Sequence, residues 1–497
     1  MLFDFKSNKF IQTEGLTDRE LIVGSDEMFS EKKVYEIHLT LKAKIQDLGI
    51  PSGHPVCIYG EKEALFPIVM ITLMSLDIPY IPIDVIMPAG RIEKIKEQTS
   101  SQVLINCSEK NCDVDFEIVI NKKLDIKIKD QKELKRIIPQ DDILRYILFT
   151  SGSTGVPKGV QITAKALNSF AEWYLSWPGI NKDAVLMNQA PFSFDVSLCD
   201  FIAAFGAGSK IVLNNYSILK SGNLFLERLK QQKANTLICT PSFIQMYLSV
   251  PEFNSTNFPE LRQVVFMGEE LHTINVKKLK AAFPSLKVVN AYGPTEATVV
   301  VTYVELTDKV LSDYAKSLPI GYCRPGGEML VLDADDESGV GELGIVGQNL
   351  SIGYLNDEEK TNKAFIQYQG KRVYKTGDVG YIKNDLIFYM GRNDSQVKLN
   401  GYRIELDEIG NVLLSHPAIK NAVVVPLTNK NVTKKIISFI VLKENNSKDI
   451  SEDLKAYLLQ HLPSYMIPSE FIVKDNFPMN SNYKTDKKAL LEEYLNG

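Results

Sequence analysis

Tyr146-Ile-Leu-Phe-Thr-Ser-Gly-Ser-Thr-Gly-Val-Pro-Lys-Gly-Val160 reads as a short apolar strand that runs into a loop of glycines and hydroxyl residues. Glycines let backbone N–H groups approach an anion closely, and Ser and Thr hydroxyls add donors that can turn. Lys158 adds a positive charge. This is chemistry for gripping a polyphosphate, with Thr150, Ser151, Gly152, Ser153, Thr154 and Lys158 as candidate contacts. The loop is not the common Gly-x-x-x-x-Gly-Lys type, because Pro157 stands where the second glycine belongs. A solvated turn uses the same residue types, so the loop alone leaves both readings open.

Outward from this loop, short apolar runs alternate with amphipathic stretches in a βαβ rhythm. The pattern predicts strands at 56–59, 102–105, 116–120, 146–149, 210–213, 236–239, 263–266 and 287–289. Helices are expected at 61–75, 90–97, 164–173, 224–231, 242–248 and 274–283, with Pro67 set to kink or delay the first. From about residue 318 the texture changes to short strands and turns, as at Gly341-Glu-Leu-Gly and Asn384-Asp-Leu. A last segment carries its own small α/β pattern, with strands at 419–425 and 435–442 and a helix at 452–461. The expected architecture is α/β. A large N-terminal domain (1–391) has helix-covered, mostly parallel sheets and a β-rich subdomain from about 318. A small mobile α/β C-terminal domain (392–497) follows.

Bulk properties fit. At 497 residues the chain is too long for one core. It is 44% hydrophobic and 24% charged with net charge −5, so there is no electrostatic reason to expect nucleic acid or an anionic membrane as a partner. No apolar run reaches the roughly 18–20 residues that span a bilayer, so no membrane insertion is expected. Six cysteines without paired spacing read as reduced thiols, and with no visible signal peptide the expected location is cytoplasmic. The five histidines are scattered, so a structural metal site is not expected.

Four more stations carry chemistry: Asn290-Ala-Tyr-Gly-Pro-Thr-Glu296, Tyr374-Lys-Thr-Gly-Asp378, Gly391-Arg-Asn-Asp-Ser-Gln-Val-Lys-Leu-Asn-Gly-Tyr-Arg-Ile-Glu405 and Asn482-Tyr-Lys-Thr-Asp-Lys-Lys488. With the loop at 150–160, in this order, they resemble the core motifs of the adenylate-forming superfamily. Leu186–Ser197 and Thr240–Met246 resemble the amino-acid-activating branch, and within it the D-alanine–D-alanyl carrier protein ligases.

The resemblance implies ATP and Mg²⁺. It assigns Asn290, Ala291, Tyr292, Gly293 and Thr295 to the nucleotide, with the Tyr292 ring on adenine and Thr295 on phosphate. Glu296 becomes the magnesium ligand, since a hard cation on phosphates takes carboxylate oxygen. Asp378 becomes the acceptor of both ribose hydroxyls, helped by Arg392, although Gly377-Asp378 also reads as a hairpin turn. Lys484 becomes the bridge between substrate carboxylate and α-phosphate. The family usually has glycine before that lysine, and this chain has Tyr483.

Asp195 is expected to face the substrate ammonium, which is costly to bury without a counter-charge. As a bare sequence feature it also reads as a helix cap. Val196, Cys199, Ile238, Val265, Met267, Gly268, Ala291, Val299 and Val300 complete the implied pocket, which suits a small or medium aliphatic side chain. The D-alanine enzymes carry cysteine where this chain has Met267, which should reduce or reshape the cavity. D-alanine is the first choice, with proline or another small L-amino acid as competitor.

The second half-reaction implied is transfer to the phosphopantetheine thiol of a carrier protein in trans, with Asp394 as hinge and Lys398 and Gly401 on the thiol channel. Asn400-Gly401 equally reads as a hairpin turn. An acyl- or aryl-CoA synthetase is the rival of another class, as is a carrier-protein binder with a vestigial nucleotide site.

Overall fold

The computed structural model describes residues 2–11, 15–130, 134–137, 143–152, 157–429, 432–443, 450–478 and 485–496. These divide into two compact units. The larger comprises 1–85, 96–149 and 159–393, and the smaller comprises 86–95, 150–158 and 394–497. The segments 86–95, 150–152 and 157–158, expected in the N-terminal domain, group with the last part of the chain.

The larger unit holds a nine-stranded and an eight-stranded sheet. In the former, Glu20–Val23, Lys210–Val212, Val185–Asn188, Thr236–Cys239, Gln263–Phe266 and Lys287–Tyr292 run parallel. Antiparallel Thr302–Glu305 and Met28–Ser30 flank them. Thr236–Cys239 and Gln263–Phe266 are buried along their whole length, as strands covered on both faces must be. In the eight-stranded sheet, Val56–Gly60 runs parallel between Tyr80–Asp84 and Val103–Asn106. One contiguous apolar core runs through both sheets.

Helices begin where the chain supplies a cap or a proline. Phe66–Ser75 starts later than the expected 61, with Pro67 in its first turn, where a missing N–H costs nothing. Glu31–Asp47, absent from the sequence expectation, is capped by the Ser30 side chain on Lys33 N. Expected 242–248 shortens to Pro241–Gln245, and Lys287–Tyr292 outlasts its expected end at 289.

The β-rich part is a five-stranded antiparallel sheet. Its strand Lys371–Lys383 pairs with Gly341–Val346, Phe365–Tyr368 and Leu386–Arg392. In the smaller unit, Ile419–Asn429 and Val432–Leu442 form an antiparallel pair, with Glu470–Val473 parallel to the second. Leu406–Leu414 and Ser451–His461 supply helix faces to its core around Ile409, Leu413, Leu454 and Leu458. Among the described residues no helix is long and apolar enough to cross a membrane.

Candidate functional site

The apolar wall follows from strand register. Ile238 lies beside Val265, and Val265 beside Val289. Side chains two residues apart share a face, which brings Met267 and Ala291 to the same side just beyond. Ala291 lies on Lys287–Tyr292, while Met267 and Gly268 follow Gln263–Phe266 where that strand ends. The carboxyl ends of parallel strands are where such sheets bind ligands. Cys199, Ile238, Val265, Met267, Ala291, Val299 and Val300 are buried in one core, with Val196 packed against it.

Val299 reaches that core through strain. After the 3-10 turn Thr295–Ala297, Thr298 and Val299 adopt φ of 53° and 69°, a region that β-branched residues rarely enter. The Thr298 hydroxyl donates to Asn349 O at 2.7 Å, and Asn349 Nδ2 donates to Ala297 O at 2.7 Å. Gly293 is required here, since a Cβ on it would lie 2.5 Å from Val299 O.

Asp195 sits just before the helix Ser197–Ile202 and is 9% exposed. Val196, not Asp195, is the N-cap, and no side chain caps this helix. The helix-cap reading is therefore set aside.

The residues assigned to the nucleotide in the larger unit form a second, polar group. Asn290 Nδ2 donates to Pro319 O at 2.8 Å. Thr295 opens the 3-10 turn. Glu296 is fully buried and accepts from the Tyr354 hydroxyl at 2.9 Å. Asp378 lies within the strand Lys371–Lys383, paired with Arg392 across the sheet, so the hairpin-turn reading fails. Arg392 Nη1 donates to one Asp378 oxygen and the Tyr292 hydroxyl donates to the other. Arg392 Nη2 also donates to Thr376 O at 3.0 Å. Burial and the Asp378 charge hold the Tyr292 phenol far above its usual range, so it stays a neutral donor.

The smaller unit holds the rest. Thr150 Oγ1 is buried with no hydrogen-bond partner among the described residues. Ser151 Oγ donates to Arg403 O at 3.0 Å, and Gly152 N to Glu408 Oε2 at 3.0 Å. Lys158 pairs with Glu405 at 3.3 Å, and Arg91 with Glu408 at 2.7 Å. The glycine loop thus meets carboxylate oxygens, anions of the kind its donors suit. Gln396–Leu399 and Tyr402–Glu405 form a hairpin that pairs Lys398 with Arg403. Asn400 and Gly401 turn it with φ of 52° and 84°, a two-residue turn with positive φ at both positions. Gly401 therefore has a backbone reason of its own. Asp394 is the first residue of this stretch in the smaller unit, and its Oδ1 accepts from Gln396 N at 3.2 Å. Ser153, Thr154 and Lys484, with Tyr483, lie outside the described residues.

Sequence reading missed Tyr354 as the partner of Glu296, and Arg91, Glu405 and Glu408 as partners around the loop. Only the position of Glu405 at the end of a quoted motif hinted at any of these.

The AMP-binding enzyme family matches residues 12–355, and its C-terminal domain matches 408–484. The chain belongs to the AMP-binding enzyme family. It is 35% identical over 495 residues to a D-alanine–D-alanyl carrier protein ligase of Bacillus licheniformis, covering 98% of each chain. A ligase of the same name from Bacillus anthracis is 36% identical, with 88% of this chain and 89% of that one covered. Among solved structures it is similar to the Vibrio cholerae adenylation domain AlmE in complex with glycyl-adenosine-5'-phosphate. There the TM-score is 0.83 at 20% identity, with 99% of this chain and 97% of that one covered. It also resembles the o-succinylbenzoate CoA synthetase of Bacillus subtilis, at TM-score 0.81, 20% identity and 98% of each chain. At these identities the two structures speak for the fold alone, a mixed α/β chain with a larger and a smaller unit. The family match and the D-alanine ligases make it an AMP-forming ligase.

Proposed function

We propose that this enzyme activates a small amino acid, D-alanine first, as its aminoacyl adenylate. It then passes the acyl group to the phosphopantetheine thiol of a carrier protein supplied in trans, in the cytoplasm. Asp195 carries the reading: it is a buried carboxylate in the segment that also supplies Val196 and Cys199 to the apolar wall. The near-full-length likeness to D-alanine–D-alanyl carrier protein ligases supports the same substrate.

In the first half-reaction a substrate carboxylate oxygen bonds to the α-phosphorus of ATP, and the bond to pyrophosphate breaks. Asp195 balances the ammonium, and the wall, narrowed by Met267, accepts a short side chain. Asp378 and Arg392 take the ribose, the Tyr292 ring lies on adenine, and Thr295 with the loop residues Thr150–Thr154 and Lys158 takes the phosphates. Glu296 suits magnesium, which binds nucleotides through one or two carboxylates and otherwise through phosphate and water oxygens. When bound, the ion offsets negative charge at the phosphates. Lys484 bridges the two anions. In the second half-reaction the chain turns about Asp394, Lys398 and Gly401 line the thiol's path, and thiol attack on the mixed anhydride releases AMP.

Amino-acid-dependent ATP–pyrophosphate exchange tests this reading on D- and L-alanine, glycine, serine, proline, valine and an aryl acid. Strong exchange with D-alanine alone supports it. Exchange with an L-amino acid moves the substrate, and exchange with the aryl acid alone overturns amino-acid activation.

A further inference from the structure

The segment 189–199 leaves the nine-stranded sheet after Asn188 and leads into the helix Ser197–Ile202, carrying Asp195, Val196 and Cys199. Its two ends are tied by side chains. Asn188 is fully buried, and its Nδ2 donates to Asp200 Oδ2 at 2.7 Å and to Ala190 O at 3.1 Å. Lys62, 2% exposed, donates from Nζ to Gln189 O at 2.6 Å. Asn214, beyond the neighbouring parallel strand, donates from Nδ2 to Asn188 O at 2.8 Å. Four buried polar side chains from different parts of the chain therefore converge on the foot of the segment that presents Asp195.

Such a cluster is expensive. Burial pushes Lys62 down to about 7 and Asp200 up to about 7, each opposed by the other's charge. Asp200 Oδ1, Asn188 Oδ1 and Asn214 Oδ1 are buried with no hydrogen-bond partner among the described residues. Apolar residues of similar volume commonly fill such a place at no loss of stability. What they do not supply is direction, because a hydrogen bond fixes an orientation and a methyl contact does not. The helix after the segment passes into a π-helical turn at Ala203–Ala207, which ends at the left-handed Gly208, so its own backbone ladder is irregular one turn on.

We propose that Asp200 is a positioning residue for amino-acid recognition. Through Asn188, and with Lys62 holding the Gln189 carbonyl, it sets the 189–199 segment so that Asp195 meets the substrate ammonium. The inference rests on the amino-acid reading of Asp195 given above.

Steady-state exchange kinetics of the full-length enzyme tests it. N188A and D200A each raise the KM for the amino acid about tenfold or more, as small misplacements of a binding group do. The KM for ATP stays within about twofold, and the double variant is no worse than either single one. D200N keeps an oxygen acceptor toward Asn188 and restores most of the loss. Equal rises in both KM values, or single effects that add in the double variant, overturn the proposal. Should D200A fail to fold, K62M removes the hold on Gln189 together with the charge that faces Asp200, and is judged by the same KM split. Amide hydrogen exchange provides a readout that needs no substrate. Faster exchange confined to 189–199 supports the proposal, and equally faster exchange in Thr236–Cys239 and Gln263–Phe266 overturns it. If the parent enzyme shows no amino-acid-dependent exchange, the substrate reading fails, and hydrogen exchange alone decides whether Asp200 fixes the segment.

Discussion

The apolar wall around Ile238 and Val265 and the group around Asp378 lie in the same unit and are built on opposite principles. The wall is apolar, and strand register places Ile238, Val265 and the neighbours of Val289 side by side. Its members hold position by packing. The polar group is closed on itself: both Asp378 oxygens are engaged, one by Arg392 and one by Tyr292. Packing tolerates a change of size at modest cost, whereas a closed hydrogen-bond set loses a partner all at once. Substitutions in the two regions should therefore separate in kind.

The largest effect is expected at Asp195, the buried carboxylate in the segment that leads to the wall. Asp195→Ala should lower kcat/KM for the amino acid about 10²–10³-fold, the consequence of leaving a buried ammonium unpaired. The KM for ATP should stay close to that of the parent, and a matching loss for ATP would break the separation. Asp378→Ala should act in reverse, raising the KM for ATP about 10–100-fold while the amino-acid KM holds, as exchange kinetics at varied ATP would read. Tyr292→Phe is milder. It takes one donor from a buried carboxylate and should destabilise the fold by about 1–3 kcal/mol, measured as a lower urea midpoint at unchanged slope. Met267→Cys should do least, shifting the preference between alanine and a residue one or two methylenes larger by about fivefold, the low end for such pockets. A null result there would mean that Met267 does not bound the cavity.

What could be read from the residues divides along the same line. Thr236–Cys239 and Gln263–Phe266 were expected with the ends they have, because short apolar runs between turn residues leave little choice in a doubly covered parallel sheet. Pro67 announced a delayed helix and the helix starts at Phe66. Polar partners were harder to read. Nothing near Glu296 in sequence points to Tyr354, and nothing near Gly152 points to Glu408. Such pairs join distant segments and have no periodicity to betray them. Dipeptides that also read as turns were decided only by the fold: Gly377-Asp378 lies inside a long strand, whereas Asn400-Gly401 is the hairpin turn its sequence suggests.

The left-handed pair Thr298–Val299 has a consequence for how the wall adapts. A valine held at φ 69° is a spring wound during folding, next to a turn that Asn349 ties at Ala297 and Thr298, at a cost of about 1–2 kcal/mol. The wall is thus in tension before any substrate arrives. Glycine at 299 would release that strain but also remove a buried side chain, so a looser and less discriminating pocket lies one substitution away without a gain in stability.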